Sequence, residues 1–153
     1  GHVVSFTTGN LNVLTIATAD ARYVNVTGDT MTGDLTVPNL TANNILLDEI
    51  DLSSGESSTS FAFPQTIFEF DHATYNSAEL VITATQGTNR HITKLLVVHD
   101  GSDAYATEFG SIYTNTSLAE YDVGFAASDV TLNATASSAS ATTYKIAATL
   151  IKD

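Results

Sequence analysis

The sequence predicts an all-β chain in two parts: a short intertwined, trimeric β shaft, then an antiparallel β-sandwich of jelly-roll-like form. Three observations predict it. Charged residues make up only 14% of the chain, against about 25% in soluble domains. Ser, Thr, Asn and Ala take their place, which favours strands over solvated helices. Up to residue 55 the apolar residues recur every five positions, and beyond residue 60 they recur every second one.

The five-residue period is carried by Phe6, Leu11, Ile16, Ala21, Val26 and Met31. After a one-residue slip it resumes at Leu35, Leu40, Ile45 and Ile50, each followed two places on by Val37, Ala42, Leu47 or Leu52. Neither a helix nor a long strand has this period. Very short strands joined by tight turns do, with Asx residues such as Asn10, Asp20, Asn39 and Asn44 supplying the turns. Gly28 and Gly33 mark further turns, and Thr18–Tyr23 has room for one helical turn. One such chain cannot bury its own stripe. Either three chains wind together with the stripes meeting on an axis, or one chain coils as a pentapeptide-type solenoid. The slip between Met31 and Leu35 favours three chains. The axis then consists of Leu35, Val37, Leu40, Ile45, Leu47, Ile50 and Leu52.

The second part reads as seven strands: Ile67–Phe70, Glu79–Gln86, His91–His99, Ala104–Asn115, Tyr121–Ala127, Val130–Thr135 and Thr143–Ile151. Alternation is clearest at Leu80, Ile82 and Ala84 and at Tyr144, Ile146, Ala148 and Leu150. Gly87-Thr88-Asn89, Asp100–Asp103, Thr114–Ser117 and Ser137–Ser140 separate the runs as turns. Close spacing of short strands predicts a sandwich. Leu95-Leu96-Val97-Val98 is apolar on both faces, which places that strand centrally or beneath a neighbouring chain. The Ser/Gly/Thr run Ser53–Ser60 reads as a short linker, so the expected domains are a shaft over 1–55 and a tip over 56–153. Gly1-His2 reads as a cloning remnant on a piece of something longer.

Charge excludes several functions. The chain carries 17 acidic and 5 basic side chains, a net −12. Its Arg22, Arg90, Lys94, Lys145 and Lys152 are scattered, so no basic patch exists to neutralise phosphates, and nucleic acid is not expected as a partner. The same charge opposes an anionic membrane, and no apolar run reaches the roughly 18 residues of a span, so membrane insertion is not expected. The acidic surplus serves solubility or attracts divalent cations. There is no Cys, which removes disulfides and thiolate sites.

Catalytic motifs are absent. No G-x-S-x-G elbow and no phosphate-cradling glycine motif occurs. Glu108, Glu120 and Asp122 are the carboxylates on which glycosidic cleavage, which needs a pair, could draw. The expectation is no catalytic residue, no enzymatic activity and no cofactor. His91 and His99 share strand parity but stand about 25 Å apart on a straight strand, too far for one metal. The histidines read as surface or interface residues, and no metal is expected.

Asp20-Ala21-Arg22-Tyr23, followed after a spacer by Gly28-Asp29-Thr30-Met31-Thr32-Gly33-Asp34-Leu35, resembles a repeat of tailed-bacteriophage tail fibres. Lys94–Gly110 and Lys145–Ile151 resemble the terminal β domains of structural proteins from phages of marine bacteria. The resemblance implies a homotrimer assembled in the bacterial host cytoplasm and placed on the virion tail. It implies as partners other tail proteins and a host-surface glycan or protein. Iron-binding fibres carry H-x-H tripeptides, which this sequence lacks, so no metal is carried over. The alternatives are a monomeric carbohydrate-binding module or a tailspike glycan hydrolase. Loops on a rigid sandwich are suited to receptor contact. The candidates are Asp100, Ser102 and Asp103, Asn115, and the nearby Tyr105, Tyr113 and Tyr121, since tyrosine stacks on sugars while its hydroxyl bonds outward.

Overall fold

The computed structural model describes residues 38–42 and 44–153. The phage-like stretch Asp20–Leu35, the axis positions Leu35 and Val37, and the turns read at Thr18–Tyr23, Gly28 and Gly33 lie outside the described residues. The chain divides into two compact units, Gly1–Leu40 and Thr41–Asp153.

The second unit is all-β. Its strands are β1 (Ile45–Leu46), β2 (Ile50–Thr59), β3 (Gln65–Asp71), β4 (Tyr75–Gln86), β5 (Asn89–His99), β6 (Ala104–Tyr113), β7 (Ala119–Ala126), β8 (Asp129–Ala136) and β9 (Thr142–Lys152). They form a six-stranded sheet in the order β1-β2-β9-β4-β5-β6 and a three-stranded sheet in the order β3-β8-β7. Every pairing is antiparallel. The strands do not alternate between sheets throughout, since β4, β5 and β6 follow one another as a meander.

Alternation decides which side chains enter the core. Leu80, Ile82 and Ala84 of β4 and Tyr144, Ile146, Ala148 and Leu150 of β9 are buried on one side of the large sheet. The small sheet supplies Ile67, Phe70, Val130, Leu132 and Ala134 to the same cluster, with Tyr121, Val123 and Phe125 packed against it. Full burial of a Leu, Ile or Phe contributes about 1.5–3 kcal/mol, so this shared core holds the two sheets together.

Two expectations meet a different outcome. Ser53–Thr59 is not a linker; it is the greater part of β2, paired with β9 from Ile50↔Ile151 to Thr59↔Thr142. Its inward positions Ser53, Gly55 and Ser57 are small because β3 lies above them: a Cβ on Gly55 would stand 3.0 Å from Cδ2 of Phe68. The expected boundary at 55/56 therefore falls inside a strand. The Leu95–Val98 run lies in β5, an interior strand flanked by β4 and β6, in keeping with the central place its apolar pattern predicts. Leu95 and Val97 are buried, while Leu96 and Val98 are 46% and 51% exposed. Finally, His91 is no surface residue. Its ring is buried, with Nε2 2.7 Å from Ser111 Oγ and Nδ1 accepting the Leu118 N–H at 3.4 Å. Its outward neighbours Arg90 and Ile92 have the opposite parity.

Candidate functional site

The β5–β6 loop and the β3–β4 turn border a cleft. In the first, Asp100 Oδ1 accepts the N–H groups of Ser102 (2.9 Å) and Asp103 (2.8 Å). The Asp100 N–H donates to the Asp103 carbonyl at 3.1 Å, and the Tyr105 hydroxyl donates to Asp100 Oδ2 at 3.2 Å. Gly101 occupies a left-handed conformation, φ 89°, which suits glycine. The Asp103 and Ser102 N–H groups hold the Asp100 carboxyl below its ordinary value. In the second, Asp71 accepts the Ala73 N–H at 2.9 Å and the Thr74 hydroxyl at 2.6 Å. The Thr74 hydroxyl is the main reason the Asp71 carboxyl also lies low.

Two histidines connect these turns. His99 donates from Nε2 to the Tyr75 carbonyl at 2.7 Å and accepts the Gly101 N–H at Nδ1, 3.1 Å. Both nitrogens are thus engaged, which fixes the tautomer and leaves His99 unable to ligate a metal in this arrangement. The His72 ring stands edge-on to His99 at 5.9 Å, and both rings meet Phe125, at 5.4 and 5.7 Å. The cleft has a volume of about 420 Å³ and is lined by His72, Ala73, Asn76, His99, Asp100, Gly101 and Asp153. A wall of ring edges, amide and carboxylate can hydrogen-bond hydroxyl groups. Among the described residues no group of three or more His, Cys, Asp or Glu could hold a metal ion.

The receptor-contact residues read from sequence fall in three places. Asp100, Ser102, Asp103 and Tyr105 come together at this end of the sheet. Tyr113 lies at the far end of β6, about 30 Å away for a ten-residue strand. Asn115 follows there, in a loop tied to β5 by the Thr114 N–H donating to the Arg90 carbonyl at 2.9 Å. Tyr121 points inward: its ring packs 6.0 Å from His91 and 6.4 Å from Tyr144, and burial pushes its hydroxyl well above its ordinary value.

The axis residues within the described part are open in the single chain. Leu40 is 59% exposed, Leu47 47%, Leu52 41% and Ile45 38%, with Ile50 half-buried. Between Ile50 and Leu52, Asp51 turns inward and is buried. It accepts the Tyr75 hydroxyl and pairs with Lys152 Nζ at 3.2 Å. Lys152 Nζ also donates to the Leu47 carbonyl at 2.8 Å. The Tyr75 hydroxyl chiefly keeps the Asp51 carboxyl low, aided by Lys152. This tie between β2, β4 and β9 went unread in the sequence; its signal is a lone acid at the inward parity of a strand. Of the carboxylates considered for glycosidic cleavage, Glu108 accepts the Thr93 hydroxyl at 2.8 Å on the large sheet, while Glu120 and Asp122 belong to β7 of the small one.

No protein-family model and no curated protein matches the chain. Similar solved structures are tailspike proteins. The tailspike of Acinetobacter baumannii phage AM24 has a TM-score of 0.49 at 11% identity over 68% of this chain. That of Acinetobacter phage vB_ApiP_P1 has a TM-score of 0.39 at 18% identity over 78%. That of Acinetobacter baumannii bacteriophage Fri1, a capsular polysaccharide depolymerase, has a TM-score of 0.41 at 12% identity over 65%. This chain spans 26%, 24% and 17% of those three proteins. The expectation of no enzymatic activity is corrected on this finding: one of the similar tailspikes is a depolymerase, and a chain spanning a fraction of such proteins gives no ground for denying activity to the whole.

Proposed function

We propose that the chain is part of a trimeric phage tail fibre or tail appendage that attaches the virion to a host surface. One observation carries the reading: the five-spaced apolar residues Leu40, Ile45, Leu47 and Leu52 stay exposed in the single chain. Their burial needs partner copies. The fibre-like stretch Asp20–Leu35 supports the tail assignment by resemblance. The cleft between His72 and Asp100 is the surface offered to a host glycan, and repeated weak contacts from three copies add by avidity.

The test has two arms. Light scattering on the whole chain is expected to give three times 16.1 kDa, and Ile45→Asp or Leu40→Asp to dissociate it, because buried unpaired carboxylates are strongly unfavourable. A monodisperse wild-type monomer at micromolar concentration rejects the trimer. In the second arm, Asn76→Trp, which fills the cleft, is expected to abolish retention on immobilised host-surface polysaccharide. Unchanged retention removes the cleft from the reading.

A second reading, a carbohydrate-binding module acting as a monomer, is favoured by the cleft alone. Sugar binding by the wild-type monomer distinguishes it.

A further inference from the structure

Register fixes which side chains share the open face of the six-stranded sheet. One row, from β2 to β6, reads Ile50, Ile151, Ser77, Val98 and Tyr105. The next reads Leu52, Thr149, Glu79, Leu96 and Thr107, and Ile45 of β1 stands beside Leu52. The small sheet packs on the opposite side, so nothing among the described residues covers these rows. Between them runs a groove of about 520 Å³, walled by Ser77, Glu79, Leu96, Val98, Tyr105 and Ile151. Isolated exposed apolar residues need no explanation, but a contiguous apolar face marks a contact.

Charge indicates what meets it. The chain has a net charge of −12, yet the outward strand positions of this face carry only Glu56 and Glu79 among acids, against Arg90, Lys94 and Lys145, with Asp100 held at the rim by the Tyr105 hydroxyl. Glu79 is paired with Lys94, and Glu56 lies 3.4 Å from Lys145. The acidic surplus therefore lies elsewhere. Two copies of so acidic a chain repel each other unless they meet where acids are absent or neutralised. This face meets that condition. It is also continuous with the stripe assigned to partner copies, since Ile45 and Leu52 belong to both.

We infer that the open face of the six-stranded sheet is a copy-to-copy interface, its groove filled by apolar side chains of a second copy. The inference rests on the trimeric reading and extends it from the shaft onto the folded unit. It assigns Tyr105 to the interface, where it braces the Asp100 loop at the rim, and leaves His72 and Asn76 for the host.

The test uses the full chain. Leu96→Glu combined with Val98→Glu charges the groove without touching the core, because both side chains point outward. The expected result is loss of the trimer with the β-sheet circular dichroism retained. The chain has no cysteine, so Thr107→Cys places one thiol in the groove. Its alkylation is expected to be about tenfold slower, or more, in the native assembly than in urea, whereas Ala139→Cys in an exposed loop reacts at similar rates in both. A wild-type monomer overturns the trimeric reading and this inference together. A wild-type trimer that survives the double substitution, with a freely reactive Thr107→Cys thiol, overturns the inference alone. If the double variant unfolds, the Thr107→Cys thiol decides: slow alkylation supports the interface and fast alkylation rejects it.

Discussion

At the residue scale, His91 couples burial to pH. With Nδ1 accepting the Leu118 N–H, the ring proton sits on Nε2 and donates to Ser111. A second proton on Nδ1 faces an N–H donor in a buried place. Burial accordingly pushes the imidazole below its ordinary 6.5, with Glu108 acting weakly the other way. The unfolded chain then binds this proton at a higher pH than the folded one. Stability is full above about pH 6.5 and declines as pH falls through that value towards the depressed one. Asp51, Asp71 and Asp100 also have lowered values, but their contributions fade only as pH falls below the ordinary 3.8. A melting series from pH 8 to pH 5 should show the decline in the wild type. His91→Gln should be flatter and less stable by about 1–3 kcal/mol, the cost of leaving a buried N–H without an acceptor. Identical slopes in the two proteins would remove His91 as the cause. Gly55 is a second single-residue constraint. Gly55→Val should cost about 1–3 kcal/mol by overpacking against Phe68, and Phe68→Ala in the same chain should recover part of it. An additive loss in the double variant, measured by urea unfolding, would show that the two side chains do not meet.

At the scale of elements, the strands carrying a period-two apolar pattern were legible. Glu79–Gln86, His91–His99 and Thr143–Ile151 all lie inside the observed β4, β5 and β9. β2 was not legible, for a physical reason. Its inward positions include Asp51, Ser53, Gly55 and Ser57, so it shows no apolar alternation; its ladder to β9 and the space beneath Phe68 make it a strand. The break between β7 and β8 was legible, since Tyr121–Ala127 and Val130–Thr135 read as separate strands, but the geometry of its turn was hidden. Ala127 adopts φ 57° there, a conformation that composition does not advertise. The candidate cleft was half visible. Asp100–Asp103 announced itself as an Asx turn, but only folding brings His72 and Asn76 beside it. β6 shows how one glycine shapes an edge. The β5–β6 register shifts between Ile92 and Lys94, opposite Gly110, which has φ 68° and open space around the position of a Cβ. A substitution there tests backbone conformation without steric overlap. Gly110→Val should cost about 1–2 kcal/mol and Gly110→Asn distinctly less, because Asn enters the left-handed region more readily. Equal urea midpoints for the two variants would contradict the bulge.

At the scale of the whole molecule, charge and apolar surface are segregated. The acidic surplus of a −12 chain opposes the approach of copies at long range, while the interface proposed on the open sheet face, with its paired Glu79–Lys94 and Glu56–Lys145, would hold them on contact. These two terms respond oppositely to salt. Screening shortens the reach of the repulsion, to about 10 Å at 0.1 M and about 3 Å at 1 M, and leaves apolar burial intact or slightly stronger. Assembly through the proposed face should therefore tighten as salt rises. The concentration at which the oligomer dissociates, followed by light scattering or sedimentation, should fall several-fold between about 0.02 M and 0.5 M sodium chloride. An interface built from intermolecular ion pairs predicts the reverse, because salt screens the attraction itself. Dissociation that becomes easier with salt would thus place the contact on charged surface and away from the rows led by Val98 and Leu96.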